Sequence, residues 1–474
     1  TVRLSGDVTI SYDLHRLRVA GAWQGGFLDL SRTGHTQQRG EGQPMPEGAP
    51  LRGLQHWYWA FNGRFDYPTN DVLPRGPLPE KWMRYRGHYI HGWQTVLAYD
   101  IGGREVLEVP GADKGADVLA LSHVLRIGPG GSPLRLCVGQ AEKPSGTAEG
   151  ILAVGENIPS RLTGSAGDHL VLTGDASPSG SVGFTAAGVV GQTDGLTWEI
   201  DDHHRMVLNI PADAAPRVIG VYCFAGAGEM QLQAVKRYVA EARKSALTDP
   251  ETLTHGGPPL WPAAVEVRGT LGDQPGAYAL DTIPLPEKNP YRAWLRTSAL
   301  AFFPDGRAVV TTYGGDVWIV SGLDAGLEHV KWSRFAAGLY EPFGAQVIEG
   351  LIYVTCRNGI VRLHDLNGDG AADYYETFYA DADVSTFFHA FNFDLQVDRQ
   401  GNLYYVKPGE YTNYKLPGAV IEVSPDGRNA RAYCTGFRVP NGMGLLPDGR
   451  LTVSDNQGNW MPASKINLVR RGGF

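Results

Sequence analysis

The sequence lacks the features that mark membrane-spanning, nucleic-acid-binding and disulfide-rich proteins. No apolar run reaches the roughly 18 residues that a membrane helix needs, and no cluster of Lys and Arg stands out in a chain whose formal net charge is −8. Only four cysteines occur in 474 residues, and they are far apart, with no Cys-x-x-Cys spacing: Cys137, Cys223, Cys356 and Cys434. These absences predict no membrane span in this chain and no nucleic-acid partner, and they favour buried free thiols over a disulfide framework.

Glycine and proline are abundant, whereas charge is scarce. The chain has 62 Gly, 31 Pro and 19% charged residues, a composition typical of short strands joined by tight turns. A length of 474 residues suggests more than one domain. The sequence therefore predicts a mainly β protein with two or three domains.

Short β-prone runs bounded by Gly, Pro or Asp occupy most of the first half and predict a β-rich, sandwich-like domain over residues 1–250. One segment, 229–246, departs from this pattern because Leu232, Val235, Val239 and Ala242 recur at helical spacing. We expect one amphipathic helix there. The Pro- and Gly-rich stretch 251–290 is interpreted as a linker.

The remainder, residues 291–474, repeats itself. Four dipeptide turns recur about every 44 to 51 residues, each followed by a strand, a polar connection and another strand: Asp305-Gly306, Glu349-Gly350, Gln400-Gly401 and Asp448-Gly449. This period is typical of the four-stranded blade of a β-propeller. We expect about four blades, which do not close a ring. Either the chain is truncated or another segment completes the ring.

Residues 365–376 have the spacing of an EF-hand calcium loop, with oxygen-bearing side chains at positions 1, 3, 5, 9 and 12, a Gly at position 6 and a backbone carbonyl at position 7. The predicted ligands are Asp365, Asn367, Asp369, the Ala371 carbonyl, Asp373 and Glu376. A solvated acidic turn is the alternative. Because no helical pattern flanks the loop, we expect the calcium ion to connect two blade strands.

One polar residue precedes the first strand of each repeat: Arg296, Glu341, His389 and Arg438. In a propeller this position faces the mouth of the central channel, where ligands bind. His389 also begins an apolar stripe with Phe391 and Phe393, so it is either a satisfied core residue or a general base.

Two segments resemble the soluble quinoprotein glucose and aldose sugar dehydrogenases, including their sorbosone dehydrogenase relatives. They are GFRVPNGMGLLPDGRLTVSDNQG at 436–458 and HAFNFDLQVDRQGNLYYV at 389–406. The resemblance implies that His389 is the catalytic base and that Arg438 binds pyrroloquinoline quinone. The family has an Asn directly after this Arg. Here Val439 takes that place, and Asn441 is the candidate that replaces it.

The whole chain resembles large exported proteins of planctomycete-type bacteria that are described as membrane-bound dehydrogenases and often carry a c-type haem domain. Residues 19–34 and 78–103 carry this likeness. It implies a periplasmic or secreted location and a c-type cytochrome domain as the electron acceptor.

The sequence thus favours a quinoprotein-like dehydrogenase that oxidises a sugar or an alcohol at the channel mouth. One alternative is a calcium-dependent, lactonase-like propeller hydrolase, in which an ion polarises a carbonyl group. The other is a non-catalytic carbohydrate-binding or scaffold module of a larger redox protein.

Overall fold

The computed structural model describes residues 1–30, 44–51, 53–54, 56–65, 79–115, 117–140, 151–154, 162–167, 170–176, 182–203, 205–273, 276–385, 387, 390–410, 414–458 and 463–474. Strands make up 49% of the described residues and helices 5%, so the prediction of a mainly β protein is confirmed. The chain forms two compact units: Thr1–Tyr89 with Gln94–His255, and Ile90–Trp93 with Gly256–Phe474.

The first unit is built from strands, as its β-prone runs bounded by Gly, Pro or Asp predict. Its strands are β1 (Val2–Arg3), β2 (Val8–Asp13), β3 (Arg18–Gln24), β4 (Leu28–Asp29), β5 (Met45–Pro46), β6 (Ala49–Pro50), β7 (Tyr58–Trp59), β8 (Met83–His91), β9 (Gln94–Ile101), β10 (Arg104–Lys114), β11 (Leu119–Ile127), β12 (Leu134–Gln140), β13 (Ile151–Val154), β14 (Leu162–Ser165), β15 (Leu170–Ala176), β16 (Val182–Gly191), β17 (Thr197–Ile200), β18 (Arg205–Ile210) and β19 (Arg217–Ala227).

Two large sheets contain most of these strands. One has the order β1-β2-β3-β7-β12-β18-β17-β14, and the other includes β13-β15-β16-β19-β11-β10-β9-β8. Side chains of both sheets share one buried cluster that contains Trp59, Tyr99, Leu121 and Trp198. Burying such large apolar groups between two sheets is what stabilises a sandwich.

The one α-helix among the described residues, α1 (Gly228–Ala242), lies where the sequence predicts a helix over 229–246. Its Val235 and Val239 are buried with Ala186 of β16 and Phe224 of β19. Two short 3-10 helices, Ser5–Asp7 and Pro250–Leu253, complete the helical part of the described chain.

A buried carboxylate, that of Glu108, is the centre of a hydrogen-bond network in the core of this unit. Glu108 accepts hydrogen bonds from the Tyr12 and Tyr99 hydroxyls, at 2.8 and 2.7 Å, and its Oε1 lies 2.7 Å from Nδ1 of His123. Burial alone would raise the pKa of Glu108, but the contact with His123 and the tyrosine donors outweigh burial and lower that pKa. Both carboxylate oxygens of Glu108 have hydrogen-bond partners, so we interpret this network as stabilising the core.

The second unit consists of consecutive antiparallel sheets. Its strands are β20 (Val265–Val267), β21 (Thr297–Phe302), β22 (Ala308–Thr312), β23 (Val317–Ser321), β24 (Val330–Ala336), β25 (Gly344–Ile348), β26 (Leu351–Cys356), β27 (Gly359–His364), β28 (Tyr374–Ala380), β29 (Phe393–Val397), β30 (Leu403–Val406), β31 (Ala419–Val423), β32 (Ala430–Thr435), β33 (Pro440–Leu445), β34 (Leu451–Asp455) and β35 (Lys465–Val469).

These strands form four successive blades: β21–β24, β25–β28, β29–β32 and β33–β35. The first strands of consecutive blades lie side by side, as they do around a propeller axis. Within the segment interpreted as a linker, β20 pairs with β24 at the outer edge of the first blade.

The four repeat turns occupy equivalent places, because each joins the first strand of a blade to its second strand. Their glycines, Gly306, Gly350, Gly401 and Gly449, have φ angles of 89°, 81°, 83° and 87°. Residues with a Cβ rarely adopt this conformation, which explains the recurrent glycine.

The four cysteines are buried and free, in agreement with the expectation from their spacing. Within the described residues, no helix is long and apolar enough to cross a membrane.

Candidate functional site at the mouth edge of the blades

The blade geometry brings two sets of residues to one edge. In each blade the first and second strands are antiparallel, so the start of the first strand lies beside the end of the second. Among the described residues, Arg296, Glu341 and Arg438 come before first strands, and Tyr313, Arg357, Lys407 and Asn456 come after second strands. We call this set the mouth edge. His389 lies outside the described residues.

A continuous line of contacts runs along this edge from the first blade to the second. The guanidinium carbon of Arg296 lies 4.9 Å from the centre of the Tyr313 ring, and the Tyr313 hydroxyl donates to Glu341 Oε1 at 3.2 Å. Glu341 also forms an ion pair with Arg357. Burial, followed by the negative charge of Glu341, raises the pKa of Tyr313 to about 12. Tyr313 is therefore a neutral donor at physiological pH.

Arg357 connects this line to the segment before β29. Its side chain is 5% exposed, and its Nη1 donates to the carbonyls of Ser385 and Phe387 at 3.2 and 3.1 Å. The guanidinium also lies 4.7 Å from the ring centre of Phe391. A buried guanidinium requires such a set of acceptors because its desolvation is costly.

Lys407 is the second buried cation of the edge, and only 1% of it is exposed. Its ammonium donates to Asp381 Oδ2 at 2.8 Å and to the carbonyl of Asp383 at 2.6 Å. It also lies 4.3 Å from the centre of the Tyr414 ring, a cation–π contact. Lys407 thus holds residues 381–383 against the third blade.

Arg438 and Asn441, the predicted quinone-binding residues, come from the fourth blade. Arg438 Nη2 lies 2.5 Å from Glu410 Oε2, and the Arg438 side chain is 28% exposed. Its backbone N–H donates to Asp455 Oδ2 at 3.1 Å, which fixes the start of β33. Asn441 is exposed on β33.

Sequence reasoning missed Arg357 and Lys407, although a signal for them was present. Each directly follows the second strand of a repeat. Arg357 comes after Cys356, the last residue of β26, and Lys407 comes after Val406, the last residue of β30. Since the second strand ends at the same edge where the first begins, this position could have been included in the candidate site.

Five of the six predicted calcium ligands, from Asp365 to Asp373, lie between β27 and β28. Asp365 accepts hydrogen bonds from the backbone N–H groups of Gly368 and Gly370, at 2.7 and 2.9 Å, and so closes a tight turn. Asn367 Oδ1 and Asp369 Oδ1 accept from N–H groups two residues further on, those of Asp369 and Ala371. The turn gathers these oxygen-bearing side chains in a short stretch of backbone.

The last two predicted ligands, Asp373 and Glu376, have partners outside the turn. Asp373 accepts from the N–H groups of Gly257, at 3.0 Å, and Leu366, at 2.8 Å. Glu376, on β28, pairs with Arg362 and His364. Burial raises the pKa of Glu376, but these two partners outweigh it and lower the pKa to about 2. In the part of the chain that the structure describes, no group of three or more His, Cys, Asp or Glu residues is arranged to hold a metal ion.

Comparison with known proteins gives partial matches. A family profile described as a domain of unknown function (DUF6797) matches residues 10–108, most of which belong to the first unit. No curated protein matches the chain.

Three solved structures are similar to part of the chain. An oxidoreductase of Thermus thermophilus described as a glucose dehydrogenase is 19% identical over 38% of this chain and 63% of its own, with a TM-score of 0.29. The PQQ-bound aldose sugar dehydrogenase of Streptomyces coelicolor is 17% identical over 38% and 61%, also at 0.29. The PQQ domain of a pyranose dehydrogenase from Coprinopsis cinerea is 12% identical over 37% and 51%, at 0.31. The matches span less than two thirds of each structure, and similarity at this level supports no conclusion about activity.

Proposed function

We propose that the second unit is a quinone-dependent oxidoreductase that acts on a sugar or an alcohol at the mouth edge. The observation that carries this proposal is the convergence of charged side chains from successive blades at one edge. These include Arg296, which stacks on Trp294 and Tyr313 and has no carboxylate partner within 4 Å among the described residues. The sequence resemblance at 389–406 and 436–458 supplies the chemistry.

The reaction needs a base and a hydride acceptor. The predicted base, His389, would take the proton of the substrate hydroxyl. Pyrroloquinoline quinone, when bound, would accept the hydride from the carbon that bears this hydroxyl. For His389, which lies outside the described residues, the proposal rests on the sequence alone.

The described residues fit an anionic quinone. Guanidinium groups stay charged and pair with carboxylates in a bidentate manner. Arg438 and Arg296 would hold the carboxylates of the quinone, and the exposed amide of Asn441 adds a neutral donor. The Tyr313 hydroxyl donates its one proton to Glu341, so its oxygen can accept a hydrogen bond from a substrate hydroxyl.

Glu410 has a role that the sequence alone did not indicate. Since its carboxylate is paired with Arg438, an anionic quinone must compete with it for the guanidinium. Glu410 therefore limits quinone affinity while it holds Arg438 in place.

Substitutions of these residues test the proposal. Arg438→Ala is expected to raise the quinone dissociation constant by about 10- to 100-fold, the effect of losing a charge-assisted pair. Glu410→Gln is expected to lower the quinone dissociation constant, because the competing charge is gone.

His389→Ala is expected to abolish sugar-dependent dye reduction and to leave quinone affinity within about threefold of wild type, because a base acts in the chemical step. The measurements are quinone titration by isothermal calorimetry and dye-coupled turnover.

Each alternative has its own outcome in that experiment. Equal quinone affinity for the wild type, Arg438→Ala and Glu410→Gln would contradict the assignment of Arg438. Binding of sugar without any dye reduction would favour the scaffold module, and hydrolysis of a lactone without quinone would favour the hydrolase.

We also propose that the turn at 365–373 binds calcium as a structural ion, with Asp365, Asn367, Asp369, the Ala371 carbonyl and Asp373 as ligands. The observation that supports it is the run of oxygen-bearing side chains folded into one tight turn. Glu376 as a further ligand stays a prediction from the loop spacing, since its carboxylate pairs with Arg362 and His364 in the structure.

A periplasmic or secreted location and a c-type cytochrome domain as the electron acceptor are the remaining parts of the proposal. They rest on the resemblance of residues 19–34 and 78–103 alone. Reduction of a purified c-type cytochrome by the sugar-supplied protein, followed by its absorbance, tests the acceptor.

A further inference from the structure

An exposed aromatic side chain, that of Trp294, lies beside the mouth edge, two residues before Arg296. It is 71% exposed. The guanidinium carbon of Arg296 lies 5.1 Å from the centre of its ring, so the cation contacts one face of the indole. At this exposure the other face is open to solvent. Single exposed apolar residues are common on protein surfaces, but the groups around Trp294 are not those of an ordinary surface residue.

The backbone that carries Trp294 is held in place by its neighbours. Leu295 is buried in the cluster that contains Trp318, and Ala293 packs against the same cluster. The Asn289 side chain donates to the carbonyl of Ala293 at 2.8 Å and accepts from its N–H at 3.0 Å. Because the residues on both sides of Trp294 pack inward, the indole points away from the blade and is oriented before any ligand arrives. A preorganised group loses little conformational entropy on binding.

Arg296 and Glu341 supply polar groups along the same line of contacts. The Arg296 guanidinium also lies 4.9 Å from the centre of the Tyr313 ring, and its N–H groups have no hydrogen-bond acceptor among the described residues. A guanidinium has five N–H donors, enough for a quinone carboxylate and for a second ligand. Glu341, whose side chain is 19% exposed, accepts from Tyr313 and Arg357, and a carboxylate has room for further donors.

This combination fits a cyclic sugar. A pyranose ring carries C–H groups on its faces and hydroxyls around its rim, so it needs a flat apolar surface flanked by donors and acceptors. An open-chain alcohol has no such face to stack on an indole. A small anion would pair with Arg296 and gain nothing from Trp294.

We infer that Trp294 is the platform on which the ring of the sugar substrate stacks, with Arg296 donating to the rim hydroxyls and Glu341 accepting from them. This inference deepens the proposed function, on which it rests for the reaction, because it selects a cyclic sugar over an open-chain alcohol. Stacking on Trp294 requires no quinone, so sugar binding and sugar oxidation can be measured separately.

Two variants and one control test the platform. Trp294→Ala removes it, whereas Trp294→Phe keeps a flat ring beside Arg296. Both replace an exposed side chain, so neither should disturb folding. Trp93→Ala is the matched control, because Trp93 is also exposed, at 87%, but lies between β8 and β9.

Saturation-transfer-difference NMR without quinone measures sugar binding. The probes are D-glucose, D-galactose and D-xylose, with the open-chain polyol D-glucitol as the control ligand. We expect the wild type to bind at least one of these sugars saturably, with transfer to the C–H groups of its ring, and to bind the polyol more weakly. The dissociation constant of that sugar should rise by about three- to tenfold in Trp294→Ala, by less than about twofold in Trp294→Phe, and not at all in Trp93→Ala.

Dye-coupled turnover with the same sugar gives the second readout. Trp294→Ala should raise KM by a similar factor and leave both kcat and the quinone dissociation constant within about threefold of wild type, because stacking holds the substrate and the transition state alike.

The outcomes separate this inference from the proposed function. It is overturned if the wild type binds none of the three sugars, if Trp294→Ala binds them as well as the wild type, if Trp93→Ala loses as much affinity, or if D-glucitol binds as tightly as the sugars. Loss of sugar binding in Trp294→Ala, when the wild type neither binds quinone nor oxidises sugar, would keep the platform and reject the oxidation. Sugar oxidation with a KM that Trp294→Ala leaves unchanged would keep the oxidation and reject the platform.

Discussion

Among single residues, carboxylates paired with arginine set both the charge of the mouth edge and the response of the blades to pH. Glu341 neutralises Arg357, and Glu410 neutralises Arg438. To bind here, a polyanionic ligand would have to break part of these ion pairs. Its affinity should therefore depend on the carboxylate partner as well as on the arginine.

Glu422, on β31 of the third blade, gives a prediction about pH. Its carboxylate accepts from Arg471 and Arg431, and these hydrogen bonds outweigh burial and lower its pKa to about 2. A lowered pKa means that the stabilisation is complete above the ordinary Glu pKa and disappears as the pH falls toward 2. Glu422→Gln is expected to cost about 1 kcal/mol at pH 7, because both arginines are at least half exposed.

Urea unfolding of wild type and Glu422→Gln between pH 7 and pH 2 measures this difference. The gap between their unfolding midpoints should close as the pH falls through the range from about 4.5 to 2. Glu266→Gln, whose pair with His329 is exposed, is the control and should show no comparable gap. A gap that is independent of pH would contradict the role of the Glu422 charge.

Among the elements, the turn between β27 and β28 is the one whose stability should depend on an ion. Asp369→Ala removes one proposed calcium ligand from an exposed turn, so it should lower the melting temperature in calcium but leave the value in EDTA nearly unchanged. Differential scanning calorimetry with and without calcium measures both values. Equal calcium responses of Asp369→Ala and wild type would contradict the site.

Glu376→Gln separates the two possible roles of Glu376. If Glu376 is a ligand, this variant loses the calcium response as Asp369→Ala does. If the pairs with Arg362 and His364 are its whole role, the melting temperature falls by the same amount with and without calcium.

Local patterns made the elements predictable. The four repeat turns could be found because a Gly with positive φ leaves a direct mark in the sequence, and α1 could be found because Val235 and Val239 recur at helical spacing. Arg357 and Lys407 could not be assigned, because their partners are distant in the chain: Lys407 contacts Asp381, 26 residues earlier, and Arg357 contacts Ser385, 28 residues later. Only the packing of one blade beside the next brings them together.

The predicted calcium turn shows the same limit. Its spacing defines which oxygens are near each other within 365–373, but Glu376 belongs to a strand, where its neighbours are set by the register of β27 and β28. Arg362 lies opposite Glu376 in that register. A loop pattern carries no information about a cross-strand partner.

At the scale of the whole molecule, we propose that the mouth edge of the second unit binds an anionic quinone. Titration of the intact protein with pyrroloquinoline quinone by isothermal calorimetry, in calcium-containing buffer at two salt concentrations, tests this claim most directly. We expect saturable binding of one quinone per chain that weakens as salt rises, because arginines would hold its carboxylates. Heat that never saturates, or saturable binding that is unaffected by Arg438→Ala, would contradict it.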